Sequence, residues 1–170
     1  MDNLWAAWRS DFILSDKEDI CIFCEEGRRL KKQQRLILYE GETSFVIINL
    51  YPYNPGHLMV VPYRHLHDVE KLTDEENREM NDLIIESIRI LKRRFKPHGF
   101  NIGMNLGATG GAGIEYHLHW HVVPRYTGDI NFLAAIGKTK LQSIGLDIIY
   151  EELKPEYDQY AGRTKRAKSR

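Results

Sequence analysis

Three histidines at alternate positions, His117, His119 and His121, constrain this chain more than any other feature. Side chains alternate faces along an extended strand, and same-face neighbours lie roughly 6.5–7 Å apart. An extended backbone therefore puts all three imidazoles on one face and Leu118, Trp120 and Val122 on the other. The apolar face can cover a core while the imidazoles line a site. A strand that merely happens to carry histidines is a poor rival reading. The chain has seven histidines in all, and these three directly follow a glycine-rich stretch, "LGATGGAG" (106–113).

Two chemistries use such a row. The whole row can bind a metal ion. Alternatively, a neutral imidazole can attack a phosphate while neighbouring donors neutralise the charge that develops. The glycine-rich loop favours phosphate, because free N–H groups in tight turns make an anion cradle. A flexible hairpin connection would have the same composition.

Upstream, "RLILYE" (35–40), "TSFVIINL" (43–50) and "HLMVVP" (57–62) are short runs rich in β-branched residues. Gly41 and "YPYNPG" separate them, so they read as consecutive antiparallel strands. Thr73 followed by Glu76 is a capping-box pattern. Met80, Leu83, Ile84, Ile88 and Leu91 continue at helical spacing, and Lys92, Arg93 and Arg94 suit a helix C-terminus. The spacing predicts a helix over 73–95. "FNIGMN" (100–105) reads as a strand, the histidine stretch as another, and 138–153 as a second helix. The fold class is α+β: a five-stranded antiparallel meander with one long helix before the last hairpin and a C-terminal helix. Residues 1–19, with Trp5, Trp8 and Phe12, read as an N-terminal arm packed onto something. The main domain spans 20–155. The basic tail, 156–170, reads as a disordered, solvated end from Arg163 onward.

A chain of 170 residues fits one domain and buries about two-thirds of its unfolded surface without a staple. Lysine plus arginine equals aspartate plus glutamate, 24 each, so no global field draws the chain to nucleic acid or anionic membranes. An anionic ligand must be held locally. No apolar run approaches the ~18 residues of a membrane span, and "MDNLWAAWRSDF" has no signal-like apolar stretch, which points to the cytoplasm. Cys21 and Cys24, two residues apart, then suggest metal or redox chemistry more than a structural disulfide.

His117-Leu-His119-Trp-His121-Val-Val123 resembles the signature of the histidine triad (HIT) superfamily, and "NLYPYNPGHLMVVPYRH" (49–65) is similar to that superfamily's strand pair before its helix. The match covers roughly residues 20–135. "LWAAWR", "CIFC" and "HVVPRYTGDINF" look like the bacterial diadenosine tetraphosphate phosphorylase-like branch. The resemblance implies a HIT-like fold, a homodimer, and a nucleotide substrate passing through a covalent nucleotidyl-histidine. By the same resemblance His119 takes the nucleophile's place. His121 and His57 surround the reacting phosphate, Asn49 meets the ribose hydroxyls, and Asn105 and Gly113 lie in the loop nearest the phosphates. Cys21, Cys24, His65 and His117 would be the ligands of a structural zinc. The acceptor is inorganic phosphate or water, and magnesium would arrive with the substrate.

One departure stands out. Ile114 sits three residues before His117, where better-known branches often carry a serine or threonine. Without that hydroxyl a phosphate acceptor is expected, met by the amides of 107–113, His57, His121 and Arg125. A triad-metal hydrolase and a non-catalytic nucleotide-binding module are the rival classes. His67 reads as surface, His98 as loop and Trp120 as core. Tyr51 and Phe45 could flank a base, but core packing is the expected role for both.

Overall fold

Continuous apolar runs in the middle of the chain place two strands at the centre of the structure. The computed structural model describes residues 20–30, 33–129 and 143–168. The N-terminal arm and residues 138–142 of the second expected helix lie outside the described residues. The strands are β1 (Ile37–Glu40), β2 (Ser44–Ile48), β3 (Leu58–Pro62), β4 (Gly99–Met104) and β5 (Trp120–Arg125). The helices are α1 (Glu25–Leu30), α2 (Asp74–Phe95) and α3 (Leu146–Lys168). Every residue of β2 and β3 is buried. Both faces of those strands are therefore covered, which explains their unbroken apolar character.

The sheet is antiparallel throughout, in the order β1-β2-β3-β5-β4. It departs from a strict meander at the last hairpin, where β5 and not β4 lies beside β3. Val122, wholly buried, faces both Leu58 and Ile102, so burial of the apolar side of β5 favours the inner position.

Helix α2 begins where the capping box predicts. Thr73 Oγ1 accepts from the Glu76 amide at 3.2 Å, and Glu76 Oε2 accepts from the Thr73 amide at 2.8 Å. Such a cap stabilises a helix by about 1 kcal/mol. Met80, Leu83, Ile84, Ile90 and Leu91 are buried against the sheet.

Helix α3 corrects the expected C-terminus. It starts at Leu146 and runs to Lys168, through the basic stretch expected to be disordered. Its inner face explains why. Tyr157 is wholly buried, with its hydroxyl 2.6 Å from Ser87 Oγ. Arg163 reaches the buried Glu86 carboxylate at 3.1 Å, and the Tyr160 ring packs 5.2 Å from Tyr39. Arg93 and Arg94 on α2 pair with Glu156 and Glu152. Among the described residues no helix is long and apolar enough to cross a membrane.

Candidate active site and metal centre

The two cysteines lie at the entrance to α1, and the helix is packed hard against them. A Cβ at Gly27 would stand 2.0 Å from the Cys21 carbonyl oxygen, so only glycine fits there. This packing aims both thiols at the end of β3. Cys21 Sγ lies 3.3 Å from His117 Nδ1, and Cys24 Sγ lies 3.3 Å from His65 Nδ1 and 3.8 Å from His117 Nδ1. All four ligand atoms fall within 4.8 Å of one another. Tetrahedral zinc, with bonds of about 2.3 Å to sulfur and about 2.0–2.1 Å to nitrogen, needs separations of roughly 3.4–3.8 Å. The donor set fits a metal ion with small adjustments.

The remaining ring nitrogen of His117, Nε2, donates to the Pro62 carbonyl at 2.8 Å, which turns the Nδ1 lone pair toward the thiols. That is the outer hydrogen bond a ligating histidine normally has. Burial holds the His117 pKa down to about 4, so the ring stays neutral. Burial, then the neighbouring Cys21, pushes the Cys24 thiol up to about 11. A bound cation is what would make the thiolate favourable there.

His117, at a bend, and His119 precede β5, and only His121 falls within the strand. The alternation still operates. Leu118 and Val122 are buried in the core, while the His119 and His121 rings meet edge to face at 4.9 Å. Each ring is fixed by a hydrogen bond. His119 Nδ1 donates to the His117 carbonyl at 2.9 Å, which leaves Nε2 without a proton in the neutral ring. Burial lowers the His119 pKa, against the opposing effect of that hydrogen bond. The Tyr53 amide donates to His57 Nδ1 at 3.0 Å, so His57 carries its proton on Nε2. That proton points to His121 Nδ1, 3.0 Å away, and His121 in turn is protonated on Nε2.

A small open cleft, of about 80 Å³, lies beside this row. His119, His121, Asn49, Asn105 and Gly113 line it together. Asn105 Nδ2 donates to the Gly111 carbonyl, tying the loop to the end of β4. Ile22, Phe23, Leu50, Met59 and Ile114 supply an apolar wall.

Several expectations change here. His57 does not border the cleft. It is wholly buried behind His121, drawn in by the Tyr53 amide and with the Asn49 amide against its ring. Arg125 does not reach the cleft either. Its guanidinium is held by Asp129 at 2.6 and 3.1 Å and by Asn101 at 2.6 Å. The amides of Gly110, Gly111 and Ala112 turn inward to the carbonyls of Gly107 and Ala108, so the glycine loop offers fewer donors than its composition suggests. Tyr51 lines the cleft and is 38% exposed, so it is not core. Phe45 is core, stacked on Tyr63. Trp120 is half-buried against the core, His67 is exposed beside Asp68, and His98 accepts from the Thr127 amide in its loop.

Sequence reasoning missed two aromatic residues. Phe23, inside "CIFC", packs 5.5 Å from His117 and 5.1 Å from His119, between the cysteine–histidine cluster and the cleft. Its place between two cysteines was the available signal. Tyr53 is the other.

The HIT domain model of the protein families matches residues 31–128. A relative from Mycobacterium tuberculosis, named AP-4-A phosphorylase, is 47% identical over 113 residues, which is 66% of this chain and 58% of the relative. The chain thus spans little more than half the length of that protein. A HIT-like protein from Methanocaldococcus jannaschii is 30% identical over 79% of this chain and 99% of its own. Among solved structures, a Zn-bound histidine triad family protein from Mycobacterium smegmatis superposes with a TM-score of 0.61 at 23% identity, covering 75% of this chain and 87% of that one. By sequence and by fold, this chain belongs to the HIT family.

Proposed function

We propose that the cleft transfers a nucleotidyl group from a dinucleoside polyphosphate, by way of a covalent bond to His119, onto inorganic phosphate. The observation that carries this reading is the hydrogen bond from His119 Nδ1 to the His117 carbonyl. It fixes the tautomer whose Nε2 lone pair can attack phosphorus. The lowered pKa keeps that lone pair free at neutral pH.

In the first step His119 Nε2 forms a bond to the α-phosphorus while the bond from phosphorus to the bridging oxygen breaks. His121 Nε2–H donates to the phosphoryl or leaving oxygen, and His57 holds His121 in the tautomer that can do so. In the second step a phosphate oxygen attacks the phosphoramidate and the P–N bond breaks, restoring His119. Asn49 and the apolar wall would hold ribose and base. Ile114, at the cleft where a hydroxyl would otherwise help water, supports phosphate as acceptor. The name of the M. tuberculosis relative supports it too.

Cys21, Cys24, His65 and His117 would hold zinc, whose part is structural: it ties the α1 knuckle to the end of β3 and to the triad. The exposed Ile102 on the β4 edge supports a homodimer formed along that edge and α2.

The test is diadenosine tetraphosphate turnover with and without inorganic phosphate, with products separated by ion exchange. ADP plus ATP is expected at millimolar phosphate, and an acid-labile adduct should appear on rapid quenching of wild type but not of His119→Ala. AMP plus ATP at a rate indifferent to phosphate would move the protein to the hydrolases. No adduct in wild type would remove the covalent route.

A further inference from the structure

We propose that Tyr53 is a positioning residue whose ring holds the His57–His121 pair in register with the cleft. This role rests on the nucleotidyl-transfer reading of the cleft. Tyr53 lies in the turn "YPYNPG" between β2 and β3, and it touches the pair in two ways. Its amide fixes the proton of His57. Its ring lies over His57 with centroids 4.7 Å apart and planes at 32°, and it extends to His121 at 5.9 Å and 36°. It also borders the cleft. One phenol ring therefore covers both imidazoles that must pass hydrogen-bond order to the reacting phosphate.

The turn that carries Tyr53 is unusually well anchored. Asn54 is buried, and its Nδ2 donates to the Pro124 carbonyl and to Asp129 Oδ2, both at 2.8 Å. The Tyr126 hydroxyl donates to the Pro55 carbonyl at 3.2 Å. Gly56 has φ +82°, and a Cβ there would meet Leu91 at 3.0 Å and Pro124 at 3.3 Å. The turn is thus clamped to the far end of β5, the strand that bears His121. Asp129 bridges Arg125 to Asn54, so the arginine that misses the cleft serves this anchorage instead.

A planar ring over two imidazoles restricts their rotation about the side-chain bonds. Misplacing a reacting group by about 1 Å can cost on the order of a hundredfold in rate. Loss of the ring should therefore act on the chemical step and leave binding largely alone.

The experiment compares wild type, Tyr53→Phe and Tyr53→Leu in two measurements. Imidazole nitrogen shifts from ¹⁵N NMR of the ligand-free protein report the tautomers of His57 and His121. Steady-state kinetics on diadenosine tetraphosphate report kcat and KM. Wild type and Tyr53→Phe should each show single Nε2–H tautomers for both rings, with similar kcat. Tyr53→Leu should show mixed or exchange-broadened tautomers, with kcat down about tenfold or more and KM within about threefold. Tyr53→Gln, of similar reach but lacking the ring, is the second variant and should behave as Tyr53→Leu does. Wild-type tautomers and kcat in the variants without a ring would overturn the proposal. So would a Tyr53→Phe as impaired as Tyr53→Leu, since that would assign the effect to the hydroxyl. Absence of any turnover in wild type would sink the nucleotidyl-transfer reading alone, because the NMR comparison still decides where the Tyr53 ring acts.

Discussion

His57 Nε2 lies 3.0 Å from His121 Nδ1, and only His121 borders the cleft. The buried ring sets the proton position of the half-buried one. Replacing His57 with leucine, which is closer in volume than phenylalanine, removes the donor. We expect kcat to fall about a hundredfold, in the range of a lost acid–base partner, with the His119 adduct still forming slowly. Rapid-quench kinetics on labelled substrate checks this, and an unchanged rate of adduct formation would contradict it.

An unperturbed histidine would lose its attacking lone pair below about pH 6.5. Burial lowers the His119 pKa, so His119 should remain neutral and reactive on the acid side of that value. The rate of adduct formation should stay level as pH falls through 6.5 and decline only below it. A midpoint at or above 6.5 would refute this.

Stability should also depend on pH in the metal-free protein. Unfolded His117 takes up a proton near pH 6.5, whereas the folded, buried ring does so only near 4. Between those values the unfolded state binds more protons, so stability rises with pH. The contribution is complete above pH 6.5 and is lost as pH falls toward 4, about 3 kcal/mol in all at the usual 1.36 kcal/mol per unit. Urea titrations of metal-free wild type and His117→Gln between pH 4 and 7.5 should show that slope in wild type and a much shallower one in the variant.

Metal removal should loosen three parts of the chain at once. Cys21 and Cys24 sit before α1, His65 follows β3 and His117 precedes β5. Chelation should lower Tm and speed hydrogen exchange in all three segments, with one zinc released per chain. Cys21→Ser/Cys24→Ser should hold no zinc after purification without added metal, by elemental analysis. Zinc retained in that variant would place the metal elsewhere.

Glu76 should matter twice over. It caps α2 through Thr73, and it grips Arg64, the neighbour of His65, at 2.9 and 2.7 Å. Glu76→Ala should cost about 2 kcal/mol, the cap plus a charged hydrogen bond, and should weaken zinc retention against a competing chelator. Stability loss with unchanged zinc affinity would confine Glu76 to the cap.

Periodicity carried most of the fold. The capping box located α2 to within a residue, and the alternation at 117–122 sorted site from core even though half of that stretch is not hydrogen-bonded strand. Local signals could not reveal that β5 slips between β3 and β4, because register is set by partners far away in the chain. Nor could they show that α3 continues past Arg163. Its charged end looks solvated in sequence, yet it is held by Glu86, 77 residues earlier. The cluster Cys21, Cys24, His65 and His117 came together as the family resemblance implied. Tyr53 and Asn54 look like turn residues in the sequence, since nothing local reveals that a turn will be clamped over a pair of histidines.

Cys21 meets His117 across 96 residues of chain. At ribosomal speeds of about 5–20 residues per second, roughly 5–20 s separate the emergence of the thiols from that of their last ligand. For that interval the two thiols lack His117, and for its first part His65 as well. His119 follows His117 by two residues, so its imidazole is never made before the four residues of the cluster are all in the chain. The two thiols should therefore be most open to oxidants and soft metals during synthesis.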